Sequence, residues 1–202
     1  MNMRLRIAAP PFLIFFALGG CSVLPRPAPP SRYHDFGPAT AYATTPRVSV
    51  GLAGVEAPAW LNGDAIWYRF LNRDPTRLRA YAENRWIAPP PGLEAEAVRE
   101  RLPAAVRPRY RLQLRVERFE QDFFGLTRAD VVVRVRAVLL DPGGVVTAER
   151  IFALSAPAAP DVGGAADGLS ALGERAAQEI SAWAAQCTRS GGSTPLSECG
   201  GS

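Results

Sequence analysis

The 202-residue sequence contains no lysine, a single histidine and three cysteines, and these shortages narrow its chemistry before any motif is read. All 23 of its basic residues are arginine. With His34 alone, metal sites built from several histidines are excluded, and a Ser-His-Asp arrangement has one candidate base. His34 and Asp35 are neighbours on an expected strand, so their side chains should point to opposite faces. Neither a P-loop nor a G-x-G-x-x-G fingerprint occurs, and Gly163-Gly164 precedes a helix without the rest of either motif. The acids are scattered. Glu94 and Glu96 stand two apart on a helix, the wrong spacing for one face, while Glu96 and Glu100 share a face beside Arg99 and Arg101, which reads as a solvated surface. Nothing selects a carboxylate pair for catalysis. No catalytic residue, metal site or cofactor is expected, and the chain reads as a non-enzyme.

Long apolar runs are also missing. None approaches the ~20 residues that a membrane-spanning helix needs. The run over residues 7–18 is short, is broken by Pro10-Pro11, follows Arg4 and Arg6, and leads through Gly19-Gly20 to Cys21. That is the layout of a secretory signal at residues 1–20. Leu18-Gly19-Gly20-Cys21 resembles the bacterial lipobox, which implies cleavage before Cys21, a diacylglycerol on its sulfur and acylation of the freed amine. Each buried methylene of such an anchor adds roughly 0.8 kcal/mol of membrane affinity. Ser22 stands where lipoproteins retained in the inner membrane tend to carry aspartate, so the resemblance implies the outer membrane, facing the periplasm.

Loss of Arg4 and Arg6 leaves 21 arginines against 19 acids, a net charge of only +2. Nucleic acid is therefore a poor partner, and export makes it poorer. Hydrophobic residues at 48% and charged residues at 21% suit a globular chain long enough to bury one core. Cys187 and Cys199 could form a disulfide in an oxidising periplasm, or remain two free thiols, one packed at a helix end.

Prolines at 25, 27, 29 and 30 make residues 21–31 an extended tether. The domain spans residues 32–187, and the Gly/Ser-rich residues 188–202 read as a flexible tail. Strands are expected at residues 33–36, 47–55, 66–71 and 78–82, the last two around the polar turn Asn72-Arg73-Asp74-Pro75. Pro89-Pro90-Pro91 starts a helix with Leu93, Ala97, Val98 and Leu102 on one face, and Pro103 ends it. Tyr110, Leu112, Leu114 and Val116 alternate with polar residues, and Arg118-Phe119 reverse that phase, which predicts a bulge. Val131, Val133, Val135, Ala137 and Leu139 alternate likewise, and Asp141-Pro142-Gly143-Gly144 turns the chain into a further strand over residues 145–154. These three strands predict an antiparallel meander with one buried face and one Arg-rich wet face. Leu169, Leu172, Ala176, Ile180 and Trp183 mark an amphipathic helix from about Asp167 to Gln186. The expected fold is a single-domain α/β sandwich, a mixed, largely antiparallel sheet with packed helices.

Residues 60–90 stand apart. They hold Trp60, Trp67 and Trp86 with Tyr68 and Tyr81, interleaved with Arg69 and Arg85. Tryptophan, tyrosine and arginine are favoured interface anchors, which makes Trp60, Tyr68, Arg69, Tyr81, Arg85 and Trp86 candidates for partner binding, although large aromatics are more often core. Arg109, Arg111, Arg115, Arg134 and Arg136, on the wet face, could instead meet phosphates of lipopolysaccharide.

Trp60-Leu61, then Ile66-Trp67-Tyr68-Arg69, then Tyr81-Ala82-Glu83-Asn84-Arg85-Trp86-Ile87-Ala88-Pro89-Pro90 resemble, in that order, the ABC-type transport auxiliary lipoprotein family. Tyr33-His34-Asp35-Phe36-Gly37-Pro38, the Leu112 to Phe119 strand with Phe123, and the closing Trp183 extend the resemblance over most of residues 31–183. It implies a non-enzymatic, lipid-anchored component of a lipid-transport system whose partners are an MCE-domain protein, a permease and an ATPase. Such a component would dock the conduit at the outer membrane and could act as a homo-oligomer. An envelope lipoprotein binding lipopolysaccharide or a barrel protein to assist outer-membrane assembly is the competing reading.

Overall fold

The computed structural model describes residues 30–38, 49–102, 108–189 and 199. The predicted signal, Cys21, most of the tether and most of the tail lie outside the described residues. The meander is present as β5 (Tyr110–Phe123), β6 (Ala129–Leu140) and β7 (Val146–Ala158), paired antiparallel in that order. On β6, Val131, Val133, Val135, Ala137 and Leu139 are no more than 1% exposed. The predicted phase reversal is a bulge between Val116 and Arg118. It lets Leu112, Leu114 and Val116, and then Phe119, Gln121 and Phe123, all face the same side. The turn after Asp141 closes with the Gly144 amide on the Asp141 carbonyl at 3.0 Å, and Gly144 takes φ +85°, which glycine tolerates.

The N-terminal half supplies β1 (Arg32–His34), β2 (Val50–Glu56), a 3-10 turn (Ala59–Leu61), β3 (Ala65–Phe70) and β4 (Asp74–Trp86). β2 and β3 lie end to end along one side of β5, both parallel to it, so the seven-stranded sheet runs β1-β4-β3-β5-β6-β7 with β2 beside β5. The sheet is mixed, and its longest ladders are the antiparallel ones of the meander. β4 is longer than the expected residues 78–82. Asp74 and Pro75 belong to the strand rather than to the turn, and Pro75 is accommodated because the β3–β4 ladder is interrupted there between Arg69 and Phe70.

Two helices complete the single domain. α1 (Pro90–Arg101) packs beside α2 (Val162–Arg189) and over β2 and β5, and α2 lies along β5, β6 and β7. α2 starts earlier than the apolar periodicity suggests, because Asp161 caps it by accepting the Gly164 amide at 2.8 Å. Small residues set its closeness to the sheet: Ala165, Ala166, Ala176, Ala177 and Ala184 are all buried with Leu169 and Ile180. A Cβ on Gly173 would stand 2.5 Å from the Phe36 ring. On α1 the expected apolar face is only part of the truth. Glu94 and Arg101 are buried as well, so Arg101 does not join Arg99 on a solvated surface.

Candidate docking surface

The aromatic-arginine stretch does not form one surface. Trp86 is 1% exposed. Its indole is set edge-on to Phe119 at 5.5 Å and to Phe36 at 6.2 Å, and Phe36 stacks on Phe119 at 5.8 Å. Trp86 is therefore core, and its expected availability to a partner is corrected. Trp60 is half-buried, packed against the core and edge-on to Trp67 at 6.0 Å, while its carbonyl accepts the Trp67 indole N–H at 3.1 Å. Arg85 spends its guanidinium within the fold, donating to the carbonyls of Tyr81 at 2.5 Å and Asn84 at 3.0 Å. Arg69 lies on the sheet face away from the helices. It pairs with Glu120 at 3.0 Å and donates to the Pro75 carbonyl at 2.7 Å. Glu120 is fully buried beneath Arg69 and Arg118, and Arg118 also holds Asp122 at 2.8 Å. Burial raises the Asp122 carboxyl above its usual range even with Arg118 opposing.

Tyr68 and Tyr81 are brought together, ring centroids 4.6 Å apart, and Phe70 and Phe123 join them. The Tyr81 hydroxyl donates to Gln121 at 2.6 Å, and the Gln121 amide donates to the Ala159 carbonyl at 2.7 Å, which ties the β7–α2 connection to this cluster. Burial, then Tyr68 and Asp161, push the Tyr81 hydroxyl above its usual range, so it stays a proton donor. The cluster sits at the end of the sheet where the β3–β4 turn, the β5–β6 hairpin and the β7–α2 connection meet. The Leu71 amide donates to the Phe123 carbonyl at 2.9 Å, and the Phe124 amide donates to that of Arg128 at 3.0 Å.

At the hairpin tip Leu126 is 81% exposed and Phe124 40%. The Arg128 guanidinium lies over the Phe124 ring at 4.9 Å, and Arg79 lies 5.6 Å from the Phe70 ring centre. Arg73, Arg77, Arg79 and Arg128 enter no ion pair among the described residues. An exposed apolar tip with arginine beside it suits a surface that is desolvated on binding while the nearby charge steers encounter. Sequence reasoning missed Phe70, Phe123, Phe124 and Leu126 here. The signal was present, because Phe123-Phe124-Gly125-Leu126 puts apolar residues where a hairpin turn ordinarily carries polar ones.

Three of the five arginines expected to meet phosphate, Arg115, Arg134 and Arg136, are paired with carboxylates, while Arg109 and Arg111 stay exposed. Glu117 accepts from Arg134 at 2.7 Å and from Arg136 at 2.9 Å, Arg136 also pairs with Glu149, and Arg115 pairs with Glu56 at 3.5 Å. Burial would raise the Glu117 carboxyl, but the two hydrogen bonds outweigh it and hold it below its usual value. A cavity of about 870 Å³ between α2 and residues 33–38 is lined by His34, Asp35 and Ser170 among others. These three do not form a relay: His34 bonds Asn84 at 2.9 Å, Ser170 donates to the Asp35 main-chain carbonyl at 2.8 Å, and the Asp35 carboxylate accepts the Gly37 amide at 2.8 Å. Among the described residues no group of acids, His and Cys is arranged to hold a metal, and no helix is long and apolar enough to cross a membrane. Cys187 and Cys199 come together at the end of α2.

Comparison with known proteins agrees with this architecture. A crystal structure of a Xanthomonas campestris protein superposes with TM-score 0.65 at 21% identity, covering 84% of this chain and 94% of that one. A second crystal structure, of an uncharacterised protein, gives TM-score 0.56 at 17% identity over 76% of this chain and 98% of the other. Both likenesses concern the fold. No curated protein matches the sequence. The profile of the ABC-type transport auxiliary lipoprotein component matches residues 35–181, from Asp35, just after β1, through β7 and most of α2. The chain belongs to the ABC-type transport auxiliary lipoprotein family.

Proposed function

We propose that this chain is a non-catalytic component of an MCE-type intermembrane lipid-transport system, held in the outer membrane by a lipid on Cys21 and facing the periplasm. The domain docks the MCE-domain protein that forms the conduit, while a permease and an ATPase elsewhere in the system supply the energy. The observation that carries the docking role is the exposed Phe124–Leu126 tip, with Arg128 over Phe124 and Arg79 over Phe70, at the end of the sheet that holds the Tyr68–Tyr81 pair. An apolar patch of this kind on an otherwise charged surface is a mark of protein contact. The salt-bridged state of Arg134 and Arg136 weighs against the lipopolysaccharide reading, because those guanidinia already have carboxylate partners.

The test is affinity capture of the anchored protein in mild detergent, with mass spectrometry of co-purifying proteins. An MCE-domain protein is expected with the wild type and is expected to be lost from the Phe124→Ser, Leu126→Asp double variant. Capture of a barrel protein in its place, or undiminished capture by the double variant, overturns the assignment.

A further inference from the structure

We infer that Cys187 and Cys199 form a disulfide in the mature protein, a covalent strap that fixes residue 199 to the end of α2. The geometry comes from three residues. Trp183 and Cys187 are one helical turn apart on α2 and share a face. The Trp183 indole N–H donates to the main-chain carbonyl of Cys199 at 2.6 Å, which places Cys199 over that face. Trp183 is itself fixed, 4% exposed and edge-on to Phe152 on β7 at 5.9 Å. Cys187 and Cys199, unbonded thiols in this structure, both pack against the core and lie close enough to interact.

The pair suits a structural bridge better than a reactive thiol site. Burial, followed by the Cys199 contact, pushes the Cys187 thiol up to about 12, so the thiolate that reacts with oxidants or metals is scarce once the two thiols are packed. The bond therefore forms before the two thiols are packed, while both are still wet. One sulfur attacks a protein disulfide of the envelope, and the second sulfur displaces the resulting mixed disulfide. Two thiol protons leave, one S–S bond forms, and the two electrons reduce the oxidant's disulfide to two thiols.

The inference rests on export, and one digest separates the two. The protein is isolated from membranes without reductant, denatured, alkylated and cut with trypsin. Cleavage at Arg175 and Arg189 puts Cys187 in residues 176–189 and Cys199 in residues 190–202. Recovery of these two peptides joined, and separated by reductant, is the expected result. Both cysteines alkylated alongside an acylated Cys21 peptide would overturn the strap and leave export standing. Both alkylated in a chain that keeps residues 1–20 would overturn both. Reduction of the purified protein should lower its melting temperature by roughly 5–10 °C, and Cys199→Ser should melt at that lower temperature and no longer respond to reductant.

Discussion

The indole of Trp86 stands edge-on to the ring of Phe119, centroids 5.5 Å apart, and this contact joins two of the segments by which the sequence resembles its family. Trp86 closes the Asn84-Arg85-Trp86 motif on β4, Phe119 follows the bulge on β5, and Phe36, from the opening motif, contacts both. These motif residues meet in the core. Trp86→Ala is accordingly expected to destabilise the fold by about 3–5 kcal/mol, as read from urea unfolding. Trp86→Phe should lose much less. A Trp86→Ala protein as stable as wild type would put the indole back at a surface.

Gly173 admits the Phe36 ring to the helix. Any Cβ there would meet ring atoms at 2.5 and 2.6 Å, and a phenyl ring pinned by Trp86 and Phe119 has little room to give. Gly173→Ala gains helix propensity of about 1 kcal/mol but forces overpacking that typically costs 1–3 kcal/mol, to order of magnitude. A lowered melting temperature is expected. A raised one would mean that the segment carrying Phe36 shifts freely.

Glu94 is 1% exposed, and neither carboxylate oxygen has a hydrogen-bond partner among the described residues. Burial pushes its carboxyl up to about 8; Glu174 on α2 adds to this and Arg101 opposes it. The folded state thus binds a proton that the unfolded chain releases above its ordinary 4.5. Stability is fully present below that value, falls as pH rises toward 8, and is level beyond. The loss is on the order of a few kcal/mol. Melting temperature measured from pH 4.5 to 8.5 should show the fall, and Glu94→Gln should remove this component and be the more stable protein at pH 8. An unchanged slope in Glu94→Gln would assign the effect elsewhere.

Much of this fold could be read directly. The meander, its bulge, its turn and the amphipathic face of α2 follow from period-two and period-3.6 patterns, because one face of each element is buried and the other wet. Glu94 and Arg101 escaped for the converse reason: local charge spacing on α1 describes a solvated helix and cannot register that α2, bearing Glu174, arrives from more than seventy positions along the chain. The aromatic stretch was misread by composition. Tyr68 and Arg69 are neighbours on a strand and so face opposite ways, one into the aromatic cluster and the other onto Glu120. Leu126 was visible only as a violated rule, an apolar residue at a turn.

Glu117 governs the charge of the wet face. Removing its carboxylate in Glu117→Gln leaves Arg134 without its carboxylate and Arg136 with Glu149 alone. The pairs are largely exposed, so the stability loss should stay near 1 kcal/mol or below. Because the carboxyl is held below its usual value, what stability it gives is present at neutral pH and is lost as acid protonates it. The larger effect is on binding: the variant should be retained by heparin or anionic vesicles at salt concentrations that elute the wild type. Identical elution would mean that the paired arginines already attract anions, and would reopen the lipopolysaccharide reading.

Docking through the hairpin tip separates affinity from stability. Leu126 is too exposed to support the core, so Leu126→Asp should change unfolding free energy by no more than about 0.5 kcal/mol. Its binding loss should be a faster dissociation, since the apolar knob is the part that is desolvated. Arg79→Glu with Arg128→Glu acts differently. These nearby charges steer approach, so their reversal should slow association and flatten its dependence on salt. Kinetics of the captured complex at two ionic strengths distinguish the two classes of variant. If Leu126→Asp unfolds the domain, the tip is packed and not presented. If both variants bind as the wild type does, the partner docks at another face, and this end of the sheet serves some other contact.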